Sequence, residues 1–382
     1  FPLWYAQETE GYRTDVRVCN LSYLQTDWYV NQMKSQAYES DPLPISMEES
    51  QYGNKKREYA YILDRVDYPV SVKMAMDYFL SDDERTKTIP GYGKINHLPT
   101  GELFIDIDKE KILKSGIVPK GYEDKIVDRI DLSFKDKNTL ILNDLAIIDL
   151  LSTNAETGWK RPVYFATTVD PSFFTETDKY FMRTGMAYEV VPVKLENTPG
   201  RYQVNTDKMY DNVMNKFVWG GIDVNPDIYL DETIRRMCYS YRIMFIDLID
   251  QLIQEGKADK ALKALDYCME KIPGNVVPHN YISLQLAMDY YFLKQNEKGK
   301  ALLEKIADSA IEYVTWINSL DNNKKRSVQR DYYYNERALA EQVIPMFYRF
   351  GDEESGKKYL EKAALAGVDI NRYFKIDTSK TN

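Results

Sequence analysis

FPLWYAQETEGYRTDVRVCNLSYLQTDWYVNQMK, residues 1–34, is the stretch whose reading decides the fold. Residues 2–10 read as a short helix stopped by Gly11, because glycine takes up the left-handed conformation of a helix end without a steric penalty. Residues 14–21, TDVRVCNL, have the composition of a strand, with Val16, Val18 and Leu21 supplying apolar surface and Cys19 a buried free thiol. Thr26 and Asp27 offer caps for a helix running to Ala37, with Trp28, Val30, Met33 and Ala37 turned inward. Helix, strand, helix predicts a crossover α/β layer whose first strand lies at or before Phe1.

Outward from this segment, DPLPISMEES is a loop broken twice by proline. Strands are expected over residues 58–63, 94–97, 102–107, 128–134, 161–167 and 187–194, with Pro192 marking the last as an edge strand. Helices are expected over 71–80, from Asn143 to Ser152, and near 177–183. The fold class is therefore α/β plus all-α: residues 1–195 form an α/β domain with a mixed, mainly parallel sheet flanked by helices. Residues 196–230 carry little periodicity and many Gly and Pro, and read as an interdomain connection.

From Asp231 the pattern becomes helical. LIDQLIQEGKADKALKALDYCMEKIP, residues 248–273, continues a tetratricopeptide-type spacing that begins at Phe245. Phe245, Leu248, Leu252, Ala261, Leu265 and Pro273 match it with Gly256 at the turn, and Ile249 stands where the pattern has glycine. Val343, Phe347, Gly356 and Leu360 match a later copy turning at Gly351. The two turns are too far apart for uniform repeats, so the middle unit is longer, with its excess in the polar run INSLDNNKKRSVQRDYYYNE. Residues 231–382 are thus expected to be tetratricopeptide-like helical repeats, a protein-binding architecture.

Composition narrows the functional classes. A hydrophobic content of 44%, charged content of 29% and net charge of −9 fit a globular chain and argue against a nucleic-acid partner, whose phosphates require a basic face. No run approaches the length of a membrane-spanning helix. The opening lacks an initiator Met and a signal-peptide pattern, which predicts that any targeting segment has been removed.

With only His97 and His279, a His-rich metal site and a serine triad are not expected. Cys238 and Cys268 are offset on neighbouring helices and should not bridge. Asp106 and Asp108 resemble an Asp-x-Asp metal motif, but helix capping is the better reading of DID. No catalytic residue, metal ligand or cofactor is predicted. The candidate binding residues are Trp219, followed by two glycines, then Arg235, Arg236 and Arg242 as donors for carboxylates, and Tyr239, Tyr241, Tyr290 and Tyr291 as a Tyr-rich groove.

Together with the opening, three further strings carry a family resemblance: WKRPVYFATTV (159–169), GMAYEVVPVK (185–194) and GGIDVNPDIYLDETIRRMC (220–238). The chain resembles the soluble C-terminal part of bacterial protein O-mannosyltransferase-like membrane proteins, relatives of human transmembrane protein 260 that are common in Bacteroidetes. The resemblance implies that a multi-pass GT-C type glycosyltransferase module precedes this region and carries the catalytic carboxylates. It also implies a location on the periplasmic side of the inner membrane. The expected function is a non-catalytic region that binds or positions an acceptor protein or peptide beside its own N-terminal membrane domain. The alternatives are a free-standing envelope interaction scaffold and an independent α/β enzyme.

Overall fold

A computed structural model of the chain describes residues 2–368, apart from 92, 135, 199 and 329. The chain divides into two compact units at Asn205/Thr206, inside the stretch read as a connection.

The first unit is built on the helix Leu142–Glu156, which is buried on nearly all sides. Such a helix has no polar face to give to water, so other elements must surround it. The helix Val72–Leu80 packs against it, presenting Val72, Ala75, Met76 and Phe79 to the core after a Ser71 cap, as its spacing predicts. Strand Glu102–Asp106 also lies against it. This strand runs antiparallel to Arg129–Ser133, with Leu103 opposite Leu132 and Ile105 opposite Ile130. All four side chains are buried, which fixes the register, since a one-residue slip would turn them to the other face.

The strands form several small sheets instead of one mainly parallel sheet. His97–Leu98 pairs parallel with Tyr59–Ile62, which pairs antiparallel with Thr139–Ile141. Val70–Ser71 runs parallel to Glu102–Asp106. A four-stranded sheet has the order Gln203–Val204, Phe181–Arg183, Ala187–Val190, Tyr164–Ala166, and only its first pairing is parallel. Among the antiparallel pairs named, only Phe181–Arg183 and Ala187–Val190 are joined by a short connection, which favours antiparallel neighbours.

Four local expectations are corrected. Residues 14–20 form turns and irregular backbone, because side chains take the groups that a ladder would use. The Gln7 amide donates to the carbonyls of Arg13 and Val16, and the Tyr29 hydroxyl accepts from Asn20 N–H. Val16 is consequently exposed, while Val18, Cys19 and Leu21 are half-buried. In the helix Asp27–Met33 the inward face is Tyr29, Val30 and Met33, and Trp28 points away from it at 55% exposure. Residues 177–183, read as helical, make one 3-10 turn and then the buried strand Phe181–Arg183. The strand Ala187–Val190 is internal, not an edge, and ends two residues before Pro192.

The second unit begins with the helix Thr206–Asp211 and continues as antiparallel helical hairpins. Glu232–Gln254 pairs with Ala258–Lys271, Tyr281–Phe292 with Asn296–Ser319, and Arg330–Arg349 with Glu353–Leu365. Three turns share one hydrogen-bond pattern. Lys257 N–H donates to Leu252 O, Gln295 to Tyr290 O and Asp352 to Phe347 O, with positive φ at Gly256, Lys294 and Gly351. Five residues beyond each of those three turn residues sits a small residue: Ala261, Gly299 or Gly356. The 24-residue helix Asn296–Ser319 and the short helix Asn322–Ser327 account for the long spacing before Gly351.

Gly299 is required by close approach. A Cβ there would lie 2.7 Å from the Tyr291 ring, which is itself stacked on Phe350 at 3.9 Å. Gly299→Ala should therefore destabilise this unit by about 2 kcal/mol, because the wedged ring cannot retreat. The measurement is the urea midpoint by circular dichroism, and an unchanged midpoint would show that the ring yields freely.

Candidate functional site

Two clefts in the first unit and the start of the long helix Glu232–Gln254 gather the chemistry. The first cleft, with a cavity volume of about 340 Å³, is formed by the opening segment itself. Its wall is a run of rings. Trp4 stacks on Tyr23 at 6.0 Å, and Tyr23 meets Trp28 at 5.9 Å. Trp28 packs edge-on against buried Tyr29 at 5.3 Å, which holds the indole while most of it faces solvent. Gln7, Glu8, Thr14, Arg17 and Gln32 supply polar groups to the lining. The irregular backbone of residues 14–20 brings Arg17 into this cleft. Its Nη2 donates to Gln32 O, while its Nη1 is buried without a hydrogen-bond partner.

The second cleft, of about 360 Å³, is lined by Lys137, Ser172, Thr175, Glu176, Tyr188 and Tyr202, among others. Thr175 and Glu176 both have φ near the left-handed region, at 54° and 59°, a conformation costly for side-chain-bearing residues. Burial pushes the Glu176 carboxyl above its usual range. Two of the lining hydroxyls are committed: Ser172 donates to Asp170 and Thr175 to Phe173 O.

The sequence-predicted binding residues separate into two groups. Trp219, Arg242 and Tyr290 are buried and belong to packing, not to a surface groove. Trp219 stacks on Phe245 at 5.8 Å and donates from Nε1 to the Tyr267 hydroxyl. Gly220 and Gly221 after it have φ of 60° and 87° with open space around them, so they serve the turn and not a close approach. The Arg242 guanidinium donates to the carbonyls of Ile272, Val277 and Pro278, clamping the loop between two hairpins, and burial lowers its pKa. The Tyr290 hydroxyl donates to Asp266.

Tyr241 is half-buried with its ring against Trp219, and half-buried Tyr291 is stacked on Phe350. Near the start of the helix that Asp231 caps, Arg236 is exposed and Arg235 and Tyr239 are half-buried.

The histidines are structural. His97 is buried between the Tyr78 hydroxyl and Ile95 O. His279 contacts Ser283 at 3.2 Å, but burial and nearby Arg242 lower its pKa to about 3, so it is a weak base, and the Ser283 side chain is fully buried. Asp108 caps the helix Lys109–Ser115 through Lys111 N–H. All three cysteines are free. Among the described residues no helix is long and apolar enough to cross a membrane, and no group of three or more His, Cys, Asp or Glu is placed to hold a metal ion.

The chain is thus an α/β unit carrying an aromatic-walled cleft, followed in sequence by helical hairpins. The chain belongs to the family described as TMEM260-associated domain 2, whose model matches residues 1–208, more than half its length. The matched span ends within a few residues of the boundary of the first unit. No curated protein and no solved structure matches the chain.

Sequence reasoning missed the opening cleft because Trp28 was assigned to the inward face. The usable signal was the density of rings in a segment with few aliphatic partners: Trp4, Tyr5, Tyr12, Tyr23, Trp28, Tyr29 and Tyr38.

Proposed function

We propose that this chain is the extracytoplasmic, non-catalytic region of a membrane protein O-glycosyltransferase, held on the periplasmic side of the inner membrane, where it positions an acceptor protein. The observation that carries the reading is the match of residues 1–208 to a domain defined by its association with the TMEM260 family. The helical hairpins add a surface of the tetratricopeptide kind, stacked helix pairs whose exposed faces bind peptide segments. Docking falls on Arg235, Arg236 and Tyr239, beside the exposed apolar side chains of Ile234 and Met237. The exposed Arg236 guanidinium suits a carboxylate of an acidic acceptor loop.

Two measurements test this. The purified chain, incubated with a polyprenyl-phosphate sugar and acceptor peptide, should give no turnover; turnover above blank would favour an independent enzyme. A photo-crosslinker at Met237 in the membrane-embedded full-length protein should capture an acceptor. Arg235→Glu/Arg236→Glu should cut that capture about tenfold, since two favourable contacts become repulsive. Equal capture would remove this helix start as the docking site.

A further inference from the structure

We propose that the opening cleft is a binding site for a pyranose sugar bearing a single carboxylate or phosphate, with the ring stacked on Trp28 and the anion held by Arg17. The inference is independent of the acceptor-docking reading, because it concerns a different surface with its own polar groups.

Three observations carry it. The first is the wall. Trp4, Tyr23 and Trp28 follow one another at ring separations near 6 Å, and Trp28 is 55% and Tyr23 38% exposed. Large rings left half in water, yet braced by buried Tyr29, present flat apolar faces at little entropic cost. A pyranose has one such face, formed by its axial C–H groups, while its hydroxyls point to the rim. A wholly apolar ligand would leave the polar side chains of Gln32 and Arg17 in the lining without use.

The second observation is Arg17. Its Nη2 is satisfied by Gln32 O, but Nη1 is out of water with no acceptor. A buried donor on a charged group is costly to leave unmade. Two N–H groups side by side, one already anchored, are suited to an oxygen of a carboxylate or phosphate.

The third is the surrounding charge. Arg161 lies close enough for the two guanidinium groups to repel one another. Arg161 is bound to the carbonyls of Asp41 and Pro42 and to the Ser40 hydroxyl, so among the described residues no carboxylate is bonded to either guanidinium. Arg13, the other nearby arginine, is neutralised by Asp15 at 2.7 Å. Glu8 is exposed and engaged by the Tyr38 hydroxyl. Arg17 and Arg161 thus put two positive charges beside the cleft, while the Glu8 carboxylate is held by the Tyr38 hydroxyl and that of Glu39 by Thr14.

The test is a calorimetric titration of the whole chain, followed in parallel by tryptophan fluorescence. The probes are glucuronate, glucose 6-phosphate, glucose and inorganic phosphate. The two anionic sugars should bind and quench, with glucose and phosphate each weaker by about tenfold or more, as expected for loss of one charge-assisted contact or of the ring stack. Arg17→Gln should abolish the preference for glucuronate over glucose. Trp28→Ala, at an exposed position, should weaken both anionic sugars by about tenfold with an unchanged circular dichroism spectrum. The proposal is overturned if neither anionic sugar binds at about 10 mM, well above an ordinary weak-ligand range. Phosphate alone binding as tightly as the sugars, or Trp28→Ala binding them as well as the parent chain, would equally overturn it.

Discussion

Arg242→Ala should unfold the helical unit under conditions in which the parent chain is fully folded. Arg242 is fully buried, yet among the described residues its guanidinium has no carboxylate partner. It is held by three main-chain carbonyls of the loop between Ala258–Lys271 and Tyr281–Phe292, at 2.6–3.1 Å, with Ser283 as a further contact. Alanine would leave those carbonyls buried without donors and open a cavity the size of the side chain. Together these terms cost about 4 kcal/mol, a large share of the stability of a unit this size. Arg242→Met refills most of the volume and should recover less than half of the loss, because the carbonyls stay unpaired. Urea unfolding of both variants, followed through Trp219 fluorescence, separates the two terms. If Arg242→Ala and the parent chain unfold at the same urea concentration, water replaces the clamp without penalty.

Asp289→Asn should make the helical unit more stable above neutral pH. Asp289 is buried, with one oxygen accepting from Gln285 and the other without a partner. Burial, reinforced by the charge of Asp250, raises its pKa from 3.8 to about 7. A carboxyl whose folded pKa is raised binds its proton more tightly folded than unfolded. Its contribution is fully present below the unfolded value and is lost as pH rises toward the folded value. Stability should therefore decline between about pH 4 and pH 7 and level off above, by an amount approaching 4 kcal/mol at about 1.4 kcal/mol per pH unit. Asparagine keeps the oxygen that Gln285 uses and carries no charge, so the variant should lose this slope. Unfolding free energies at pH 5 and pH 8 decide the matter. The same slope in both proteins would mean that Asp289 is ionised and hydrated throughout.

Much of the architecture was legible from residues. The helix Val72–Leu80 and the strand Arg129–Ser133 lie where their periods place them, because each has one strongly apolar face and a clear start or stop. The hairpin turns at Gly256 and Gly351 were readable for the same reason, since glycine there answers a positive φ. The opening was not. Val16, Val18 and Leu21 look like a strand by composition, but a strand also needs a neighbour, and the side chain of Gln7 reaches the carbonyls first. Trp28 and Tyr29 are adjacent and both aromatic, so no local rule decides which turns inward.

What the sequence determined alone was the division of labour: an α/β region, a helical region of hairpins, and no histidine or cysteine pattern for metal or nucleophilic chemistry. Those follow from periodicity and residue type, which are local quantities. The tertiary structure decided which polar and aromatic groups face solvent. It buried Arg242 and Tyr290, which read as surface donors and ring contacts, and exposed Trp28, which read as core. The reason is physical: an arginine or a tyrosine is stable in either place, provided partners are supplied, and the carbonyls of Ile272, Val277 and Pro278 and the carboxylate of Asp266 come from elements distant in sequence.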